Sequence, residues 1–314
     1  MAKQSILETL QANEVAPHPH DTMAEAGRKA MLHDMIQILE NETGNRSGER
    51  PEDLHQMRVA TRRLRSLFNL LDDYYKSKKL KPYVEHVQRL ASLLGDVRDM
   101  DVMIGALQNN DQLDMLPIIE KLERKRGKAR KKLVKFLDSS EHKQFVKEFS
   151  RFLLKEGKWT KKVNTETSEP YQIRHVLPVI INEHLAAVRA YDNVLAEPDP
   201  RLLHKLRIEF KQLRYLIAHF AELLGAGADD FIEELKGIQD YLGELNDTFN
   251  AQAQLTSARE KVDLTSQQLE DLQTYLDQLH ETHQSYLDDF GDVWERFNTR
   301  TVQQKLSNAL LVLR

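Results

Sequence analysis

Apolar residues along the chain recur at three- and four-residue steps, and no stretch alternates apolar and polar positions as a half-buried strand would. From Asp21 the run DTMAEAGRKAMLHDMIQILENE places Ala24, Met31, Met35, Ile38 and Leu39 on one side, with Asp21 or Thr22 as the N-cap. GNRSGERP breaks that helix, and Pro51, a residue suited to a first helical turn, opens the next, which is expected to reach about Tyr75. The same periodicity predicts helices over Pro82 to Gln108 and Asp114 to Asp138, then a helical tail from Glu141 to Glu156. In GKWTKKVNTETSEP the apolar period disappears, which marks residues 158–170 as a linker. Beyond it YQIRHVLPVIINEHLAAVRAYDNVL, DPRLLHKLRIEFKQLRYLIAHFAELL, DDFIEELKGIQDYLGELNDTFNAQAQL and TSQQLEDLQTYLDQLHETHQSYLDDF predict four more helices. Residues 1–20, closed by PHPH, are expected to be a flexible lead-in, because Pro17 and Pro19 deny a helix its donors.

Composition agrees with an all-α chain. Among 314 residues only 12 are Gly and 9 Pro, too few for the many turns of a sheet protein. The net charge of -4 excludes a global basic field, so any anion site must come from local segregation of charge. With no cysteine, disulfides and thiolate metal sites are excluded. Neither a secretory h-region nor roughly 18 consecutive apolar residues occurs, which makes a cytoplasmic protein without membrane contact the expectation.

Such local segregation is written twice. LHQMRVATRRLRSLF at Leu54 reappears as LHKLRIEFKQLRYLI at Leu203, and LLGDVRDMDV at Leu93 is matched at nearly the same offset by YLGELNDTFN at Tyr241. This pattern predicts an internal duplication, with one four-helix repeat over 21–157 and a second over 171–314. At about 100° per residue, His55, Arg58, Arg62 and Arg65 fall within an arc of about 80°. That stripe runs beside the core stripe of Leu54, Met57, Leu64 and Phe68, not opposite it. His204, Arg207, Lys211 and Arg214 repeat the arrangement beside Leu203, Leu206, Phe210 and Leu213. Cations aligned on one edge repel each other as they are desolvated, so acidic side chains or a bound polyanion must supply counter-charge. The competing reading is an ordinary snorkelling flank, which needs no histidine and no second copy.

The motif pair, HQMRVATRRLRS with LLGDVRDMDV and then HKLRIEFKQLRY with LGELND, resembles the CHAD family, the conserved histidine α-helical domain, from about Asp21 onward. The resemblance implies two four-helix bundles related by a pseudo-twofold axis around a basic groove or cavity. It also implies binding of inorganic polyphosphate without catalysis or cofactor, at polyphosphate granules and beside proteins of polyphosphate metabolism. Carried onto this chain, the site residues are His55, Arg58, Arg62, Arg65, His204, Arg207, Lys211 and Arg214. Arg63 matches an arginine pair frequent in the family, but its wheel angle leaves it to solvent. LGELND lacks the arginine that Arg98 supplies in the first half.

Other groups are weaker candidates. KLERKRGKARKKLVKF places Lys125, Arg126 and Lys132 close enough to the core side to reach an interhelical groove, and Arg28, Arg174 and His175 lie on the first helix of each half. Asp96, Asp99, Asp101, Glu244 and Asp247 are expected to pair with the motif arginines and hold their heads in place. His280 and His283 fall short of a metal set and are expected to be exposed. His33 and Asp34 faintly suggest a phosphohydrolase pair, yet no phosphate-binding loop or further ligand set accompanies them, so no metal site and no catalysis are expected. The alternatives are a nucleic-acid binder, a helical scaffold for protein partners and a phosphoester hydrolase. Nucleic acid is disfavoured because Phe68, Phe210 and Phe220, the aromatics nearest the stripes, sit on the core face.

Overall fold

The computed structural model describes residues 3–47, 50–110, 113–163, 170–193, 195, 199–260 and 262–313. Along them the chain forms α1 (Lys3–Gln11), α2 (Met23–Ser47), α3 (Pro51–Leu70), α4 (Ser77–Gln108), α5 (Leu116–Asp138) and α6 (Ser140–Leu153). It continues through α7 (Ile173–Arg189), α8 (Pro200–His219), α9 (Gly227–Arg259), α10 (Ser266–Phe297) and α11 (Arg300–Leu310). The protein is all-α, with no named strand among the described residues. Pro51 and Pro200 open α3 and α8, each twenty residues long, because a first-turn position needs no amide donor.

Helices α2 to α6 pack on one another, and α8, α10 and α11 gather on the long α9. The two groups meet where α3 lies against α8 and α2 against α7. A continuous apolar core runs through both, joining Leu64, Leu67 and Phe68 of α3 to Leu206, Phe210 and Leu213 of α8. A smaller core at the far ends of α4 and α9 gathers Met103, Leu107, Ile118, Leu255 and Leu272. Gly27 allows α2 to approach the end of α3, since a β-carbon there would lie 2.3 Å from Leu71 Cδ1.

Three expectations change. The supposed flexible lead-in contains α1, whose Ile6 and Leu10 enter the main core; Pro17 and Pro19 lie beyond its end at Gln11 and do not prevent it. The beginning of the expected linker is anchored: Trp159 stacks on Phe152, and the amides of Lys76 and Lys161 donate to the carbonyls of Trp159 and Tyr74. Residues 164–169 of that linker lie outside the described residues. His283 is buried beside Thr248 and the Leu245 carbonyl, because α10 turns it onto α9; only His280 of that pair is exposed.

Polar groups also tie α1 down. Buried Glu42 pairs with Lys3 of α1 and Arg46, and accepts a 3.3 Å contact from His142 Nε2. His142 Nδ1 in turn shares a hydrogen bond of 3.0 Å with His86 Nε2. Burial pushes the Glu42 carboxyl up, but His142 and Lys3 outweigh it and bring the pKa down from 4.5 to about 2. Folding therefore favours the carboxylate: its stabilisation is present above pH 4.5 and is lost as pH falls towards about 2. Glu42→Gln is expected to lose roughly 3 kcal/mol at pH 7, since it removes the buried carboxylate that Lys3, Arg46 and His142 converge on, and to flatten the acid limb of stability in urea titrations.

Candidate functional site

The core faces of α3 and α8 are drawn into one apolar interior, so their cationic flanks turn towards each other along the seam between the two helices. Two observations establish the proximity. The guanidinium carbons of Arg62 and Arg214 lie 5.8 Å and 4.9 Å from the centre of the Tyr215 ring. Burial pushes the Lys211 ammonium down to about 8, aided by Arg207 on its own helix and by Arg62 and Arg65 across the seam. Arg98 of α4 joins from the side. Burial lowers the pKa of Arg58, and the charges of Arg62 and Arg98 lower it further while Asp99 opposes them. His55 is likewise held below its ordinary value, first by burial, with Glu52 opposing and Arg58, Arg98 and Arg62 reinforcing.

The expected carboxylate partners do not close on these cations. Among the described residues Arg58, Arg62, Arg98 and Arg207 have no ion pair within 4 Å, and the Nε of each is buried without a hydrogen-bond acceptor. The Tyr215 hydroxyl is buried and unpartnered beside them. Asp99 acts on Arg58 only through the field, and burial together with Asp247 and Asp96 holds its own pKa up. Asp101 turns away to Arg126, at 3.4 Å. A buried donor without an acceptor costs about 1–3 kcal/mol, so the seam favours any ligand rich in anionic oxygens.

Other candidates are scattered. Arg28 is committed to Glu25 and to the Leu153 carbonyl, where it closes the end of α6. Arg174 donates to Gln172, and His175 is exposed at the start of α7. Lys125 and Lys132 are exposed on α5, and neither is among the charges acting on His55, Arg58 or Lys211. Arg126 lines a separate cavity of about 310 Å³ with Arg50, Arg130 and Glu123. His204 is exposed and bonds through Nδ1 to Asn246 Oδ1 at 2.9 Å; Arg214 donates to Gln239 at 2.8 Å.

Arg63 does not go to solvent: it donates to buried Asp34 at 2.7 Å, in an ion pair beside His219 of α8. The helix wheel cannot show this, because α2 covers that side of α3. Asp34 is thereby taken from the suggested phosphohydrolase pair, and His33 bonds to Glu14 instead. Three residues of the region were not among the site residues expected from the sequence. Arg98 and exposed Phe249 had a signal, since both lie in the repeated stretches LLGDVRDMDV and YLGELNDTFN; Tyr215, beside Arg214, had none.

The fold is all-helical and carries, among the described residues, a seam of arginines without ion pairs. The CHAD domain family model matches residues 29–256, and the chain belongs to that family. It is similar to the crystal structure of the CHAD domain from the plant Ricinus communis, at 22% identity and a TM-score of 0.69 over 88% of this chain and 94% of that one. PptA from Streptomyces chartreusis shares the fold, at 11% identity and a TM-score of 0.65 over 87% of this chain and 99% of that one. Two curated relatives from Mycobacterium tuberculosis, the uncharacterized proteins MT2285 of strain CDC 1551 / Oshkosh and Rv2226 of strain ATCC 25618 / H37Rv, are each 27% identical over 207 residues. The match covers 62% of this chain, which spans 38% of the length of those relatives. No helix among the described residues is long and apolar enough to cross a membrane.

Because Arg62 acts on Lys211 across the seam, Arg62→Ala is expected to raise the Lys211 titration midpoint from about 8 towards 10.5. Side-chain NMR of the lysine methylene carbons measures it; an unmoved midpoint would mean that the two helices do not share a field.

Proposed function

We propose that the α3/α8 seam binds inorganic polyphosphate and that the protein is a non-catalytic binding or targeting module that associates with polyphosphate granules and with proteins of polyphosphate metabolism. The observation that carries this reading is the set of buried, acceptor-less guanidinium Nε atoms of Arg58, Arg62, Arg98 and Arg207 on one seam. A polyphosphate carries anionic oxygens on every repeat, so one chain passes from α3 to α8 and meets donors throughout. Arginine forks take two phosphoryl oxygens at once, and each contact releases counterions, which makes binding salt-dependent. His55, Arg65, His204, Lys211 and Arg214 complete the two flanks. Duplex reading has no support in the site, since the seam lies between packed helices and offers no protruding helix to a major groove.

Titration with long-chain polyphosphate and with RNA at two salt concentrations tests this. Polyphosphate is expected to bind clearly more tightly than RNA, and combined charge reversal of Arg58, Arg62, Arg207 and Lys211 to abolish binding while helical circular dichroism persists. Equal affinity for RNA, or indifference to the reversals, overturns the reading. A second expectation concerns pH: Lys211 loses its proton as pH rises through about 8, so affinity falls between pH 7 and 9. Lys211→Arg, which keeps its charge over that range, is expected to remove most of the fall.

A further inference from the structure

We propose that a cavity at the N-terminal end of α8 receives the base of a nucleoside polyphosphate whose phosphates lie on the adjoining cations; this rests on the seam's being a phosphate-binding surface. The cavity, of about 520 Å³, lies between α8, α9 and α10. That volume is within the range of about 300–1,000 Å³ usual for small-molecule sites. Its apolar wall is Leu242, Leu245 and Phe249, and Phe249 is 54% exposed, a large ring left open at the mouth.

Polar groups on the same wall suit a heterocycle. One turn from Asn246 along α9 stands Asn250, whose carboxamide has no hydrogen-bond partner among the described residues, and a carboxamide pairs in bidentate fashion with an adenine edge. Asn246 is already occupied, with Oδ1 on His204 and its amide 3.4 Å from Asp247. Arg201 and Lys205 line the cavity from α8, and among the described residues the carboxylate at that helix end, Asp199, is engaged in capping the Arg201 amide at 2.7 Å.

His204 joins the two regions. It lines the cavity and heads the stripe that continues through Arg207 and Lys211, so a ligand with its base against Phe249 sends its phosphates along α8 into the seam. Among the described residues the first half differs at this place. At the matching position stands Asp101, paired with Arg126, and the cavity there is walled by Arg50, Glu123 and Arg130. A single stacking ring suits one base and not a succession of bases, which favours a nucleotide over a strand.

Calorimetric titration of the full chain with ATP and with inorganic tripolyphosphate, both without divalent metal, decides the matter. Phe249→Ala is expected to weaken ATP roughly tenfold, as loss of one stacked base does, and tripolyphosphate less than twofold. Asn250→Ala is expected to weaken ATP alone in the same direction. Equal losses for both ligands, no loss for ATP, or binding of tripolyphosphate without ATP overturns the base site and leaves the seam standing. Binding of neither overturns the phosphate reading of the seam, and the base site with it.

Discussion

Like charges on α3 and α8 are held together because the apolar stripes beside them are buried in one core. Two cations 4 Å apart repel by about 4 kcal/mol at the effective dielectric of a protein surface, and less with distance. A fully buried Leu or Phe contributes about 1.5–3 kcal/mol, and α3 and α8 insert Leu64, Leu67, Phe68, Leu206, Phe210 and Leu213 into the same interior. The apolar contacts therefore win, and the cations remain where packing leaves them. Burial first, and then the charges of Arg207, Arg62 and Arg65, lower the proton affinity of Lys211 there.

Arginines in this chain divide by whether a carboxylate reaches them. Arg46 lies on Glu42 and Asp138, Arg28 on Glu25 and Arg63 on Asp34, and these pairs join helices or close their ends. Arg58, Arg62, Arg98 and Arg207 are turned by the same local geometry into a seam where the neighbouring carboxylates do not close. Arg62 and Arg63 are adjacent in sequence and differ by about 100° around the helix. One faces Tyr215 across the seam, and the other is enclosed by α2. Structural and ligand-facing arginines are thus separated by which neighbour covers them, not by residue type.

The repeated motifs do not produce equivalent halves. Arg98 adds a cation to the α3 side, while its counterpart Asn246 is spent on His204. Asp101 is drawn into an ion pair with Arg126, whereas Phe249 is left open beside an apolar wall. The two ends of the seam therefore offer different chemistry.

Much was legible from residue spacing: the all-α fold, the long helices, the core stripe and the eight motif residues follow from a 3.6-residue period and a histidine-arginine pattern stated twice. Side-chain periodicity reports which face of a helix is apolar, so it also placed the cations beside the core. It cannot report what lies against the other faces. The docking of α1 on Glu42, the burial of His283 and the enclosure of Arg63 each depend on a second helix brought in from a distant part of the chain. The same holds for the site: the sequence by itself determined two cationic stripes, but their facing each other across α3 and α8 was decided only by tertiary packing, because electrostatic coupling depends on distance in space and not on position in the chain.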